Sequence, residues 1–346
     1  MTGSRFNTFL LSRPLSVAVT VTLFIVALVS VAVAQSNHSA VRLFDIEFAA
    51  ISELSGIAKS QYADAYWVHN DSGDSPRLFA IDSNGRVIIP PFLRNQYHGE
   101  AVERGKEPYP GMTIELSANI DWEDITIADG NIYIADMGNN GNARRDLGIY
   151  VVTEPNPRAI FRARPLQFIP VSYPDQDSYP PQQWHFDSEA IFVHDGAIYV
   201  LTKHRGEGIF QLASGTNLYR LTDWQTDRIN VLEKVDSHPD VFFATGADLS
   251  PNREWVAVSG YTELWLFPVP DDGNGWFSGE ARRTGLSMLN SGIIEAITWV
   301  DDSTLLIGNE RGGVFQVSVD DIPVYDGQPN WEEGMEQFRR MFPAYR

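Results

Sequence analysis

Apolar and polar residues alternate along this chain in short runs separated by Gly-, Asp- and Asn-containing turns, the period-two pattern of half-buried strands. The pattern recurs as a unit. Its clearest copy is residues 187–204: an acidic residue opens a strand, a His194-Asp195-Gly196 turn follows, and a second apolar strand ends in charge. Residues 122–136 and 294–309 repeat the arrangement, and 54–58 with 66–70 and 246–250 with 255–259 are weaker copies. Each unit continues into a third run and some into a fourth, so every copy offers the strands of one propeller blade. The pattern therefore predicts an all-β, five-bladed β-propeller over 35–325. A degenerate sixth blade around 79–118 is the alternative. The fifth unit lacks an outer strand, and the alternating stretch 41–48 that precedes the first unit is expected to supply it, closing the ring. Helical period appears only in 326–346. There Asn330 and Glu333 suit a capping box and Trp331, Met335, Phe338 and Met341 form one stripe, predicting a C-terminal helix packed on the propeller.

The N-terminus departs from this pattern. Arg5 and Arg13 precede an uncharged run ending Ala32-Val33-Ala34, which reads as a signal peptide over 1–34 or as an uncleaved anchor. Either places the folded part in the periplasm or outside the cell, with a membrane contact only if the segment is retained. The 346 residues include 27 Gly and 20 Pro, in keeping with many turns, and no Cys, which excludes disulfides, thiol catalysis and thiolate metal sites. A net charge of −19 argues against nucleic acid as a partner. Nothing in the pattern calls for an oligomer, and a monomer is expected.

Charge matters most where the repeat concentrates it. The first strand of each blade lines the channel, so equivalent positions at strand starts meet at one mouth. Aligning the copies gives Ser55, Glu123, Glu189, Ala247 and Glu295, spaced 68, 66, 58 and 48 residues apart. Carboxylates this close resist joint ionisation unless a cation intervenes, and calcium suits a hard, all-oxygen set. Ser55, Glu123, Glu189, Asp248 and Glu295 are the candidate ligands, with Asp124 and Thr245 as further oxygen donors. The competing reading is that the acids bond to backbone N–H groups of neighbouring blades. Asn70, Asp71, Asn140, Arg144, Arg145, Lys203, His204 and Arg311 fall around the same mouth and are candidates for binding a small anionic substrate. His185 is a candidate general base and Asp124 a candidate catalytic carboxylate.

The stretches 53–58, 69–74, 121–125, 136–150, 187–190 and 245–251 together resemble a family of secreted bacterial propeller proteins of mostly undetermined activity. More distantly, Ser55, Glu123, Glu189 and Glu295 fall where soluble calcium-activated nucleotidases (apyrases), which are five-bladed, hold calcium; Ala247 departs from that pattern. Paraoxonase- and gluconolactonase-like propellers are similar in design, with Asn and Asp ligands and six blades. The resemblance implies a calcium-dependent hydrolase of a phosphate-containing substrate; a lactonase or esterase and a non-catalytic propeller binding a glycan, peptide or protein are the alternatives.

Overall fold

A computed structural model describes residues 40–329 and 331–345; the segment read as a signal peptide and the helix cap at Asn330 lie outside them. Five sheets are arranged around a central channel. Their inner strands are Leu54–Lys59, Trp122–Ala128, Trp184–His194, Ala244–Leu249 and Ile294–Asp301, which touch one another around the ring, the last meeting the first. We number the blades 1 to 5 in that order. The Asp-Gly turns set this geometry. Asp129 and Gly130, like Asp195 and Gly196, hold positive φ at both positions, the left-handed pair that a two-residue hairpin needs to follow strand twist.

Blade 5 is completed from the other end of the chain. Ala40–Asp45 runs antiparallel to Gly313–Ser318, as the alternation over 41–48 predicts. Blades 1 and 2 each take an outermost strand from the segment that joins the third and fourth strands of the next blade. Arg162–Ala163 pairs parallel with Met112–Ile114, and Asn230–Val231 with Gln167–Ser172. The stretch 79–118 thus supplies outer strands of blade 1 and a small two-stranded excursion, Tyr97–His98 with Glu107–Pro108, instead of a sixth blade. Deleting residues 1–45 is expected to leave Gly313–Ser318 as an open edge, lowering stability by about 2–5 kcal/mol for the lost strand bonds and promoting self-association. Thermal melts and size-exclusion chromatography read both effects.

Five apolar layers lie between successive blades, one per interface, with Trp67, Trp122, Trp265, Trp276 and Trp299 fully buried. A sixth cluster lies beneath the C-terminal helix Trp331–Met341. Met335 and Phe338 enter it, and Phe338 stacks on Tyr261 at 5.3 Å and meets Phe243 edge-on at 6.1 Å. Met341, the last residue of the predicted stripe, is 40% exposed, because the helix ends there before its face turns back to the blades. Among the described residues no helix is long and apolar enough to cross a membrane.

Candidate metal centre

Each inner strand slips register against its neighbour near its start. The slips leave Ser55, Glu123 with Asp124, Glu189, Thr245 and Glu295 outside the ladder. A bulge of this kind re-aims a side chain at the end of a sheet. Repeated around the ring, it turns five side chains toward one mouth. The fourth member is Thr245, not Ala247: Ala247 stays in the ladder opposite Val258, and its N–H donates to Asp124.

Several of the expected ligands fasten blades together. The Ser55 hydroxyl donates to the Glu123 carbonyl at 2.6 Å, and the Thr245 hydroxyl to that of Ile294 at 2.9 Å. Asp124, fully buried, accepts the backbone N–H of Ile125, Ile191 and Ala247, joining blades 2, 3 and 4 across the channel. Asp248 accepts the N–H of Leu249 and Trp299 and the hydroxyl of Thr298, joining blades 4 and 5, while burial pushes its pKa up to about 6. Each carboxylate thus accepts three hydrogen bonds, the role that the backbone-bonding reading gives to Asp124 and Asp248.

The acids that do converge are Asp71, Asp121 and Glu123 in one triad, and Glu123, Asp187 and Glu189 in a second. Within each, one oxygen from every residue lies within 4.8 Å of the others. Glu123 and Glu189 therefore meet as the repeat predicts. Asp121 and Asp187 were not among the sequence candidates, although each stands two residues before its column glutamate, on the same side of the strand by the period of two. That Asp-x-Glu doublet was the available signal. Burial, reinforced by neighbouring carboxylates, raises the pKa of Asp71 and Glu123 and brings Asp121 up to about 7. Glu295 lies in the same field beside Glu310. Burial raises both pKa values, and the Asp71 charge raises them further.

Lys203 stands inside this cluster and not on the rim. Only 2% exposed, its ammonium pairs with Glu189 and lies 3.6 Å from Asp187. The Phe243 and Tyr261 rings face it at 5.7 and 5.6 Å. The C-terminal helix braces the far side of those rings through Phe338.

Most of the other rim residues are also committed. Arg144 donates to Asp136, Asp146 and the Gly138 carbonyl. Asn70 accepts the N–H of Ser52 and Glu53 and donates to Ala50 and Asp74. Asn140 accepts from Arg205. His204 is buried, stacked 3.8 Å from His185, and burial depresses its pKa to about 3, so it is neutral at physiological pH. Burial first, and then the Lys234 charge, lowers the His185 pKa, while Asp175 raises it. Arg145 and Arg311 are exposed and form no ion pair among the described residues. Beside Glu310 and Arg311 a cavity of about 240 Å3 opens, walled by Met288, Leu289, Ile293 and Phe342.

Gly138 makes room for the acids. A Cβ there would fall inside the van der Waals shells of the Glu123 and Asp121 carboxylates. Gly138→Ala is expected to displace them and weaken divalent-cation binding at least about tenfold, an effect of about 1.4 kcal/mol, with a smaller change in melting temperature. Calorimetric titration checks this.

No protein-family model matches the chain, and no curated protein sequence matches it. Solved structures similar to it include a PQQ-bound aldose sugar dehydrogenase from Streptomyces coelicolor, with 10% identity, a TM-score of 0.42, and coverage of 81% of this chain and 98% of that one. Another is a gluconolactonase from Xanthomonas campestris, with 11% identity, a TM-score of 0.38, and coverage of 81% and 89%. Likeness of this degree bears on neither substrate nor chemistry. What the site itself defines is a propeller with a buried acidic cluster able to bind a metal.

Proposed function

We propose that the protein binds calcium at Asp71, Asp121 and Glu123 and hydrolyses a carboxylic ester or lactone at the channel mouth. The observation that carries this reading is the state of the outer triad. Its carboxylates converge, and among the described residues none of them forms an ion pair and their one hydrogen-bond donor is the Ser72 N–H to Asp71. Three hard oxygen ligands without sulfur or imidazole favour calcium, which tolerates irregular and partly aqueous coordination. Asp71 and Asp121 are half-buried and Glu123 is buried, so an ion held by them is reached from solvent on one side. An ion bound there supplies Lewis acidity toward a carbonyl oxygen.

The chain's own residues set the rest. The three carboxylates hold and neutralise the ion, and the bare Gly138 backbone lets them converge. The cavity beside Glu310 offers an apolar wall for an acyl portion. An acidic mouth whose Arg144, Lys203 and Arg205 are already engaged repels a polyanion, which places ester or lactone ahead of phosphoanhydride as the substrate class. Export, as residues 1–34 imply, would expose the site to millimolar-range calcium, where weak extracellular modules operate.

The test is turnover of a panel of lactones, carboxylic esters and nucleotides with calcium or with chelator. Calcium-dependent lactone or ester hydrolysis, falling at least about 100-fold in Glu123→Gln, supports the reading. Turnover confined to nucleotides restores the phosphate assignment. Absence of turnover throughout leaves a calcium-binding propeller without catalysis.

A further inference from the structure

The two carboxylate triads share Glu123 but differ in every other respect. In the inner one, Glu123–Asp187–Glu189, all three residues are buried, and Lys203 lies between Glu189 and Asp187. Phe243 and Tyr261 close the remaining sides of the ammonium with ring faces. Carboxylates on one side and π-faces on the other suit an ammonium. A calcium ion, which needs six to eight oxygens, gains no ligand from a ring face. The outer triad differs: among the described residues none of its carboxylates forms an ion pair, and two of its members are half-buried. Asp187 is 0% exposed; its Oδ1 accepts the Asn139 N–H at 2.6 Å, while Oδ2 makes no hydrogen bond and faces the Lys203 ammonium at 3.6 Å.

We infer that Lys203 is a built-in cation filling the inner of two fused carboxylate triads, so that the mouth takes one divalent ion, in the outer triad, instead of two. This rests on the metal reading above and refines it. Glu189 then becomes the partner of Lys203 and not an ion ligand, and Asp121 takes the place the repeat had given to Glu189. Glu123, common to both triads, links the ion to the ammonium. Replacing Lys203 by a neutral residue of similar length leaves three buried carboxylates without a counter-charge, which is the composition of a second divalent site.

Native mass spectrometry and calorimetric titration of the full chain with calcium count the ions without reference to any activity. Wild type is expected to take one equivalent. Lys203→Met is expected to take two and to gain more melting temperature from calcium than wild type does. Glu189→Gln, which leaves Lys203 paired with Asp187, is expected to keep one equivalent with affinity within about threefold of wild type, a change below 1 kcal/mol. This second variant keeps the proposal testable if Lys203→Met does not fold. Two equivalents in wild type, one in folded Lys203→Met, or none in Glu189→Gln would each overturn it. If wild type takes none, the metal reading fails as well; if it takes one and only the variants disagree, that reading stands and the role of Lys203 falls.

Discussion

Asp124→Ala is expected to destabilise the protein by about 3–6 kcal/mol. It strips the acceptor from three backbone N–H groups, of Ile125, Ile191 and Ala247, in a part of the channel where water does not replace it readily. Each buried donor left without a partner costs about 1–3 kcal/mol, and the total compares with the whole stability of about 5–15 kcal/mol typical of a folded protein. The expected observation is a chain that is largely insoluble or melts far below wild type. Asp124→Asn sharpens the test. The amide keeps one acceptor oxygen and turns an NH2 group toward donors the carboxylate had satisfied, so its melting temperature should fall part of the way. A catalytic Asp124 would behave differently: the asparagine variant would keep its melting temperature and lose only turnover.

Chelating calcium should lower the melting temperature, and by more at pH 8 than at pH 5. At an ion concentration one hundred times the dissociation constant, linkage gives about 2.7 kcal/mol, or about 4 °C for a chain of this size. The pH dependence follows from the raised carboxyls. Asp71, Asp121, Glu123, Glu295 and Glu310 all have folded pKa values above their unfolded ones, through burial first and neighbouring carboxylates second. The folded state without calcium therefore binds more protons than the unfolded state between the two sets of values. These groups make its stability fall as pH rises from about 4 through the Asp121 value of about 7. The buried histidines His69 and His204, with pKa values depressed to about 4 and about 3, act in the opposite sense until the unfolded histidines lose their protons. With calcium bound Asp71, Asp121 and Glu123 are held ionised and the slope should flatten. Thermal melts from pH 4.5 to 8, with calcium and with chelator, measure both slopes. An apo protein that grows more stable above the ordinary histidine pKa of about 6.5 would contradict the assignment of these acids to one shared field.

Much of this architecture was legible because it is repetitive. Five copies of one hairpin fixed the number of blades, and the alternation at 41–48 anticipated the strand that closes the ring. The meeting of Glu123 and Glu189 followed from topology. What escaped was the direction of individual side chains. Asp124 follows Glu123 at a strand start yet bonds to the neighbouring blades, because a bulge one residue long sends successive side chains to different places. Asp248, near the end of its strand, bonds to blade 5 in the same way. The same bulge hid Thr245 behind Ala247. Lys203 read as a rim cation because its sequence neighbours are charged, whereas its own strand position directs it inward onto Glu189. The phosphate-substrate expectation leaned on such cations, and Arg144 and Lys203 turn out to neutralise the protein's own carboxylates. No property of a linear sequence reports which of two nearby acids an arginine will meet.

The central claim is that Asp71, Asp121 and Glu123, drawn from blades 1 and 2, hold one divalent ion. Anomalous scattering from crystals soaked in terbium, a calcium analogue, locates it directly. The account predicts a single strong peak among those three carboxylates, absent in Asp121→Asn. An empty triad, or a peak among Glu123, Asp187 and Glu189 with Lys203 displaced, would contradict it.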